Sequence, residues 1–280
     1  MVTAAPLSGR RGSSAGARAV AILLAVARRT LTFLGIGALL VVGWWAALRA
    51  FDISSFIGKT PADVWAYLVS GPGAADHRHT VFDGVGHTLH DAIIGYGAGL
   101  IGALVIAVVF TLVPAAALTF MPTAMVLRTF PLVALTPLVI LVCGRGDRGL
   151  AAIGFIVVFF AALVTISFGI AGARGEALDM VAVFGGGRWA RLVKVSLPSA
   201  LPALCTAARI AVPQSISGAL IAEWLVTGTG SGNQLAEAAG QSEYDAVWSI
   251  CAVLIASATI VYTVLSVAEE IVLLRFRPID

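Results

Sequence analysis

The chain has 280 residues, 59% of them hydrophobic and only 12% charged, with a formal net charge of +3. Soluble domains carry about 25% charged residues, so a water-soluble enzyme is excluded and the bilayer is the solvent that suits this composition. The basic residues sit between apolar runs and form no continuous face, which excludes a nucleic-acid-binding protein.

The three cysteines, Cys143, Cys205 and Cys251, are far apart and lack a CxxC pair. They read as small apolar residues, not as a disulfide framework or a zinc site.

Residues 1–18 are small, polar and basic, and predict a disordered tail. The short run Ala19–Ala27 is followed at once by Arg28-Arg29 and a longer apolar segment. This favours a lead-in helix at the cytoplasmic face over a cleaved signal peptide. Six stretches are then long enough to cross about 30 Å of hydrocarbon as helices. They are Thr30–Ala50, Leu89–Val113, Ala116–Cys143, Gly149–Gly172, Ser199–Val226 and Ala246–Leu274. The predicted fold class is an all-α integral membrane protein of about six transmembrane helices. No alternation suited to a β-barrel is present, and no internal repeat.

With the N-terminus inside, the cytoplasmic segments hold eleven Lys and Arg residues against five outside, so both termini are expected in the cytoplasm. The connection Asp52–His87 then lies outside, with a short amphipathic helix around Ala62–Leu68, and Asp91 borders the second span. Pro122, Pro131 and Pro137 are expected to break the third span three times, and Gly95, Gly99 and Ala103 form a small-residue stripe for helix packing. Arg128, Arg209 and Glu223 are charges at bilayer depth, costly there and therefore candidates for a solute pathway or a gate, with structural pairing as the alternative for each. Arg128, Pro131 and Pro137 mark a polar kink, and a guanidinium there would attract an anion. His77, His79, His87 and His90 read as solvated histidines and not as metal ligands. Gly228–Gly232 has no following Lys and is not a phosphate loop.

The inside connection Arg174–Pro198 carries the most information. Asp179-Met180-Val181, three positions, Gly185, nine positions, then Val195-x-Leu197-Pro198 resembles the signature loop of bacterial ATP-binding-cassette (ABC) import permeases. In that pattern Asp179 stands at a Glu, Met180 and Val181 at two Ala, and Val195 at an Ile, while Gly185, Leu197 and Pro198 match outright. A short helix from Glu176 to Phe184 would present Met180, Val181 and Val183, and the glycines at 185–187 would turn the chain at positive φ. Leu127–Leu138, Arg209 and Ala222-Glu223 are similar to the taurine, alkanesulfonate and nitrate branch, which also includes permeases for pyrimidine vitamin precursors.

The resemblance implies a type I importer permease fold, organised as a cytoplasmic tail and lead-in helix (1–28), a first span and outer loop (29–83), a permease core (84–274) and a C-terminal tail (275–280). It implies Glu176, Asp179, Met180, Val181, Gly185, Val195, Leu197 and Pro198 as the ATPase-coupling loop. It further implies a bacterial inner-membrane location, an ABC ATPase dimer that binds ATP and Mg, a second permease copy forming a homodimer, and an extracytoplasmic solute-binding protein. The chain itself is expected to hold no cofactor and no catalytic or metal site. An ion-coupled secondary transporter and a non-transporting membrane anchor are the competing functions. The first would need coupling carboxylates at midplane, for which Glu223 alone stands.

Overall fold

The computed structural model describes residues 31–32 and 35–276. The tail and lead-in helix expected over 1–28 lie outside the described residues, as do the last four. Among the described residues every regular element is helical.

An apolar helix α1 (Gly35–Ala50) is about 24 Å long at 1.5 Å per residue. It touches the body near its end, where Trp44 stacks on Trp248 at 5.1 Å and Leu48 is buried. The following connection is tied to the same region. Trp248 Nε1 donates to Ile57 O at 2.8 Å, and Lys59 Nζ lies 2.9 Å from Asp245. Helix α2 (Pro61–Trp65) begins with a capping box: Thr60 caps the Asp63 amide, and the Thr60 hydroxyl and N–H both donate to the Asp63 carboxylate. Those bonds hold the Asp63 carboxyl below its ordinary pKa. A π-helical turn, Ala66–Ser70, follows.

Helix α3 (Ala74–Leu112) has 39 residues and is about 58 Å long, nearly twice the hydrocarbon thickness. It starts after Gly73, at φ 74°, fifteen residues before the span predicted from hydropathy. Asp91 therefore lies mid-helix and not at its border. Hydropathy marks where lipid begins. The helix itself runs on through the polar residues 74–88, because nothing between Gly73 and Leu89 stops propagation.

Helices α4 (Pro114–Leu127) and α5 (Leu132–Cys143) meet at 109°. The remainder are α6 (Asp147–Ala171), α7 (Gly175–Val183), α8 (Arg188–Arg191), α9 (Leu197–Ser199), α10 (Leu201–Ala222), α11 (Gly230–Gly240) and α12 (Tyr244–Phe276). π-Helical turns join α8 to α9 and extend α10 to Thr227. Four of these, α3, α6, α12 and α10 with its π extension, are long and apolar enough to cross a membrane unaided.

The glycine stripe sets their relative direction. Gly95 lies against Gly154, Gly99 against Val158 and Gly102 against Phe155. From Gly95 and Gly154 to Gly99 and Val158 both helices advance together, and Phe159 also lies near Gly102, so α3 and α6 run parallel. The chain must therefore return across the membrane between them, and α4 with α5 together make that single crossing. Ala124 of α4 packs beside Ala103 and Ala162, whereas Leu132 of α5 packs beside Leu150 and Ile153. Only one break occurs, at Arg128–Pro131. Pro122 and Pro137 stay inside helices, contrary to the three breaks expected, since a membrane helix tolerates an internal proline when neighbouring groups cover its freed carbonyl.

Gly169 meets Ala200 and Ala203 while Gly218 meets Gly154 and Val157, so α10 runs antiparallel to α6. Helix α12 is antiparallel to α10, with Leu220 near Leu254 and Arg209 near Glu269. The bundle thus has two ends. One carries the 172–200 connection, the start of α4 and the last residues of α12. The other carries α2, the start of α6, and α11.

The α3–α6 contact leaves no room for a side chain: a Cβ on Gly95 would lie 2.7 Å from Gly154 Cα, while one on Gly97 meets nothing within 4 Å. Gly95→Ala should destabilise the protein in detergent by about 1–3 kcal/mol. Gly97→Ala should leave its thermal unfolding midpoint unchanged or higher.

Candidate functional site

The 172–200 connection is a hairpin of short helices. The carboxyl end of α7 closes with Gly185 at φ 79°. The Gly185 N–H donates to Ala182 O and the Gly186 N–H to Val181 O, at 2.9 and 2.8 Å, the paired bonds of a Schellman stop. Gly186 is required as well, because a Cβ there would collide with Val181.

Met180, Val183 and Phe184, at spacing i, i+3, i+4, share one face of α7. They are 63%, 85% and 85% exposed, and Trp189 at the start of α8 is 63% exposed. Val181, expected on the presented surface, is instead half-buried on the opposite face with Ala177 and Leu178. Glu176 and Asp179 are exposed on the same short helix.

The later half of the motif does different work. Leu192 and Ala200 are buried in the main core with Phe110, Ile166 and Ile170. Leu197 is half-buried against the same cluster, Val195 is half-buried, and Pro198 lies in the first turn of α9 at a position needing no N–H donor. The pattern thus splits into a presenting helix and an anchoring leg. The sequence reading missed Phe184 and Trp189, although the 3–4 spacing from Met180 was available to find Phe184.

The intramembrane charges are not brought together. Arg128 caps the end of α4 at the 109° break and is exposed, with Pro131 exposed beside it as the first residue of the turn into α5. Among the described residues no ion pair reaches it. Thr129 Oγ1 donates to Val126 O at 2.7 Å, leaving the turn compact. Pro137 is also exposed, one turn into α5.

Arg209 is paired: its Nη1 lies 2.8 Å from Glu269 Oε2 and donates to Ser266 Oγ at 3.3 Å, and Thr206 Oγ1 donates to the other Glu269 oxygen at 3.4 Å. The guanidinium also lies over the Tyr262 ring at 5.7 Å. The sequence reading overlooked Glu269 and Glu270 among the charges at bilayer depth. Two adjacent carboxylates near the end of an apolar run were the signal.

Glu223 is fully buried and about 21 Å along α10 from Arg209. Its Oε2 accepts from Thr88 Oγ1 at 2.9 Å and from the Gly232 N–H at 2.8 Å, and the Ser231 N–H donates to Thr88 Oγ1 at 3.1 Å. The carboxylate therefore faces the unpaired amides that open α11, where a negative charge is favoured. Residues 228–232 are ordered by this contact: Gly228 and Gly230 take φ 73° and 72°, and the helix starts at Gly230. Gly230 is small because the Glu223 carboxylate fills the space a Cβ would need, and Gly232 because the Leu220 carbonyl fills it, with Glu223 Cβ next to it. Among the described residues no cluster of three or more His, Cys, Asp or Glu could hold a metal.

A bundle of apolar helices with an exposed, anchored hairpin at one end fits the family described as binding-protein-dependent transport system inner membrane component, whose profile matches residues 99–277. The chain belongs to that family. The permease is 23% identical over 229 residues to a probable ABC transporter permease protein of Haemophilus influenzae, covering 80% of this chain and 91% of that one. It is 28% identical over 111 residues to the formylaminopyrimidine transport permease protein ThiX of Halalkalibacterium halodurans, covering 40% of this chain and 44% of that one. It is 29% identical over 105 residues to the riboflavin transport system permease protein RibX of Chloroflexus aurantiacus, covering 38% and 39%. The permease is thus a multi-pass membrane subunit of an ABC transporter. It is not the catalytic component, ATP hydrolysis resides in a separate subunit, and it works with an ATPase and a permease partner.

Thr88→Val in the permease removes a buried hydroxyl that joins Glu223 to the Ser231 amide. It should destabilise the protein by about 1–3 kcal/mol in thermal unfolding. Ser217→Ala, at an exposed hydroxyl that bonds only its own helix, should change stability by less than about 0.5 kcal/mol.

Proposed function

We propose that the permease imports a small solute handed to it by an extracytoplasmic binding protein, and that the 172–200 hairpin is its cytoplasmic handle for the ATPase dimer. One observation carries the reading. Met180, Val183, Phe184 and Trp189 are exposed at the tip of a hairpin whose other leg is buried in the bundle through Leu192 and Ala200. Large apolar side chains held out on a rigid, anchored element make an interface anchor. The excess of Lys and Arg in the same segment and at both ends of the chain supports a cytoplasmic location for this end.

The pathway is proposed to run where α4 meets α5. An exposed guanidinium within the apolar thickness costs about 3 kcal/mol on insertion scales, and lipid cannot satisfy the open backbone of a break. A second, identical copy covers that face, and the two copies enclose an aqueous path beside Arg128, Pro131 and Pro137. Arg209 is committed to Glu269 and Glu223 to Thr88 and Gly232, so both hold helices together and leave Arg128 to meet solute.

A guanidinium favours an oxyanion such as a sulfonate or nitrate. It also stacks on planar rings, and a flat heterocycle is the second reading because the named relatives ThiX and RibX are a formylaminopyrimidine and a riboflavin transport permease. In the cycle, ATP and Mg act on the partner ATPase. Its closure moves the handle and opens the path outward, and hydrolysis resets the inward state.

Co-purification tests the handle. The wild-type permease should recover its ATPase stoichiometrically. Phe184→Asp should lower recovery at least about tenfold, an aromatic anchor being worth roughly 2 kcal/mol. Gly185→Pro should abolish it, because proline cannot adopt the positive φ of that turn. Unchanged recovery by both variants would place the ATPase elsewhere.

A further inference from the structure

We propose that α3 is the rod carrying motion from the handle to the far end of the bundle, and that Arg188 is the positioning residue fastening the handle to it. The proposal rests on the handle being the ATPase dock.

At the handle end, Arg188 Nη1 donates to Leu112 O at 3.2 Å. Leu112 is the last residue of α3, and its carbonyl is one of those that a helix end leaves without an intrahelical donor. Helix α3 has no basic residue in its own last turn, so a guanidinium from another element supplies the positive charge that this end favours. Beneath it, Leu192 is buried against the cluster containing Phe110, so the polar fastening sits over a packed one.

At the far end the same helix holds α11. Thr88 Oγ1 bonds Glu223 and accepts from the Ser231 N–H, and Gln234 Nε2 donates to Thr80 O at 3.1 Å. Thr88 and Leu112 lie on one unbroken helix about 36 Å apart. The far latch is incompletely satisfied, since Glu223 Oε1 and Ser231 Oγ are buried without a hydrogen-bond partner. A latch of that kind is costly to keep closed and suited to release. When the handle moves, Arg188 draws α3 with it, Thr88 shifts against Glu223, and the start of α11 is freed.

The test uses the permease with its ATPase in nanodiscs, with and without trapping by ATP and vanadate. Amide hydrogen exchange is read at Ser231 and Gly232. In the wild type, trapping should speed exchange at these amides. In Arg188→Ala the ATPase should remain bound and hydrolyse ATP, while the nucleotide-dependent change shrinks at least about 5-fold, the low end of site-to-site coupling. Arg188→Lys should restore most of it.

A wild-type response in Arg188→Ala, or no response to trapping in the wild type, overturns the rod. Loss of ATPase binding in Arg188→Ala also overturns it, by making Arg188 part of the dock. Failure of the wild-type permease to bind any ATPase overturns the underlying reading instead.

Discussion

Gly95 and Gly154 meet backbone to backbone, with no side chain between them, and the layout of the bundle follows from that contact. Because Val158 fills the space left at Gly99 one turn on, and Phe155 that left at Gly102, α3 and α6 are held parallel and in one register. Parallel neighbours require an intervening crossing, which turns two helices too short to span alone into one bent span. The same register assigns every loop to one of two ends. It puts the handle, the start of α4 and the end of α12 together, and it brings Thr88 level with the start of α6.

Within that frame, charges are admitted to the membrane on different terms. Arg209 is met by a carboxylate, a hydroxyl and an aromatic face from α12. Glu223 is met by a hydroxyl and by the amides of a helix start. Both arrangements replace lost water with fixed partners from a second element, and so each fastens two helices. Arg128 has no such arrangement within the described residues, and it stands where the backbone also opens. That contrast, more than the presence of a charge, separates Arg128 from the groups that fasten helices.

The sequence was most legible where a physical requirement is local. The Gly185 turn, the small-residue stripe and the four long spans each follow from short-range rules about φ, Cβ volume or hydropathy. It was least legible where partners come from far along the chain. Nothing near Glu223 announces Thr88, 135 residues away, and Glu269 was passed over because an apolar run masks its last turns. The start of α3 was misplaced because hydropathy reports lipid and not helix. Val181 and Phe184 exchange roles because a motif is a string of positions, whereas the short helix α7 sorts its residues by angle. Residues 228–232 look flexible by composition, yet Gly230 leaves room for the buried Glu223 carboxylate and Gly232 for the Leu220 carbonyl.

The central claim is that the hairpin tip is held out from the bundle for a nucleotide-binding partner. A photo-crosslinking amino acid placed at Phe184 in cells tests this directly. Illumination should join the permease to its ATPase subunit in one dominant product. Crosslinks to lipid alone, or to a protein on the outer side of the membrane, would contradict the account.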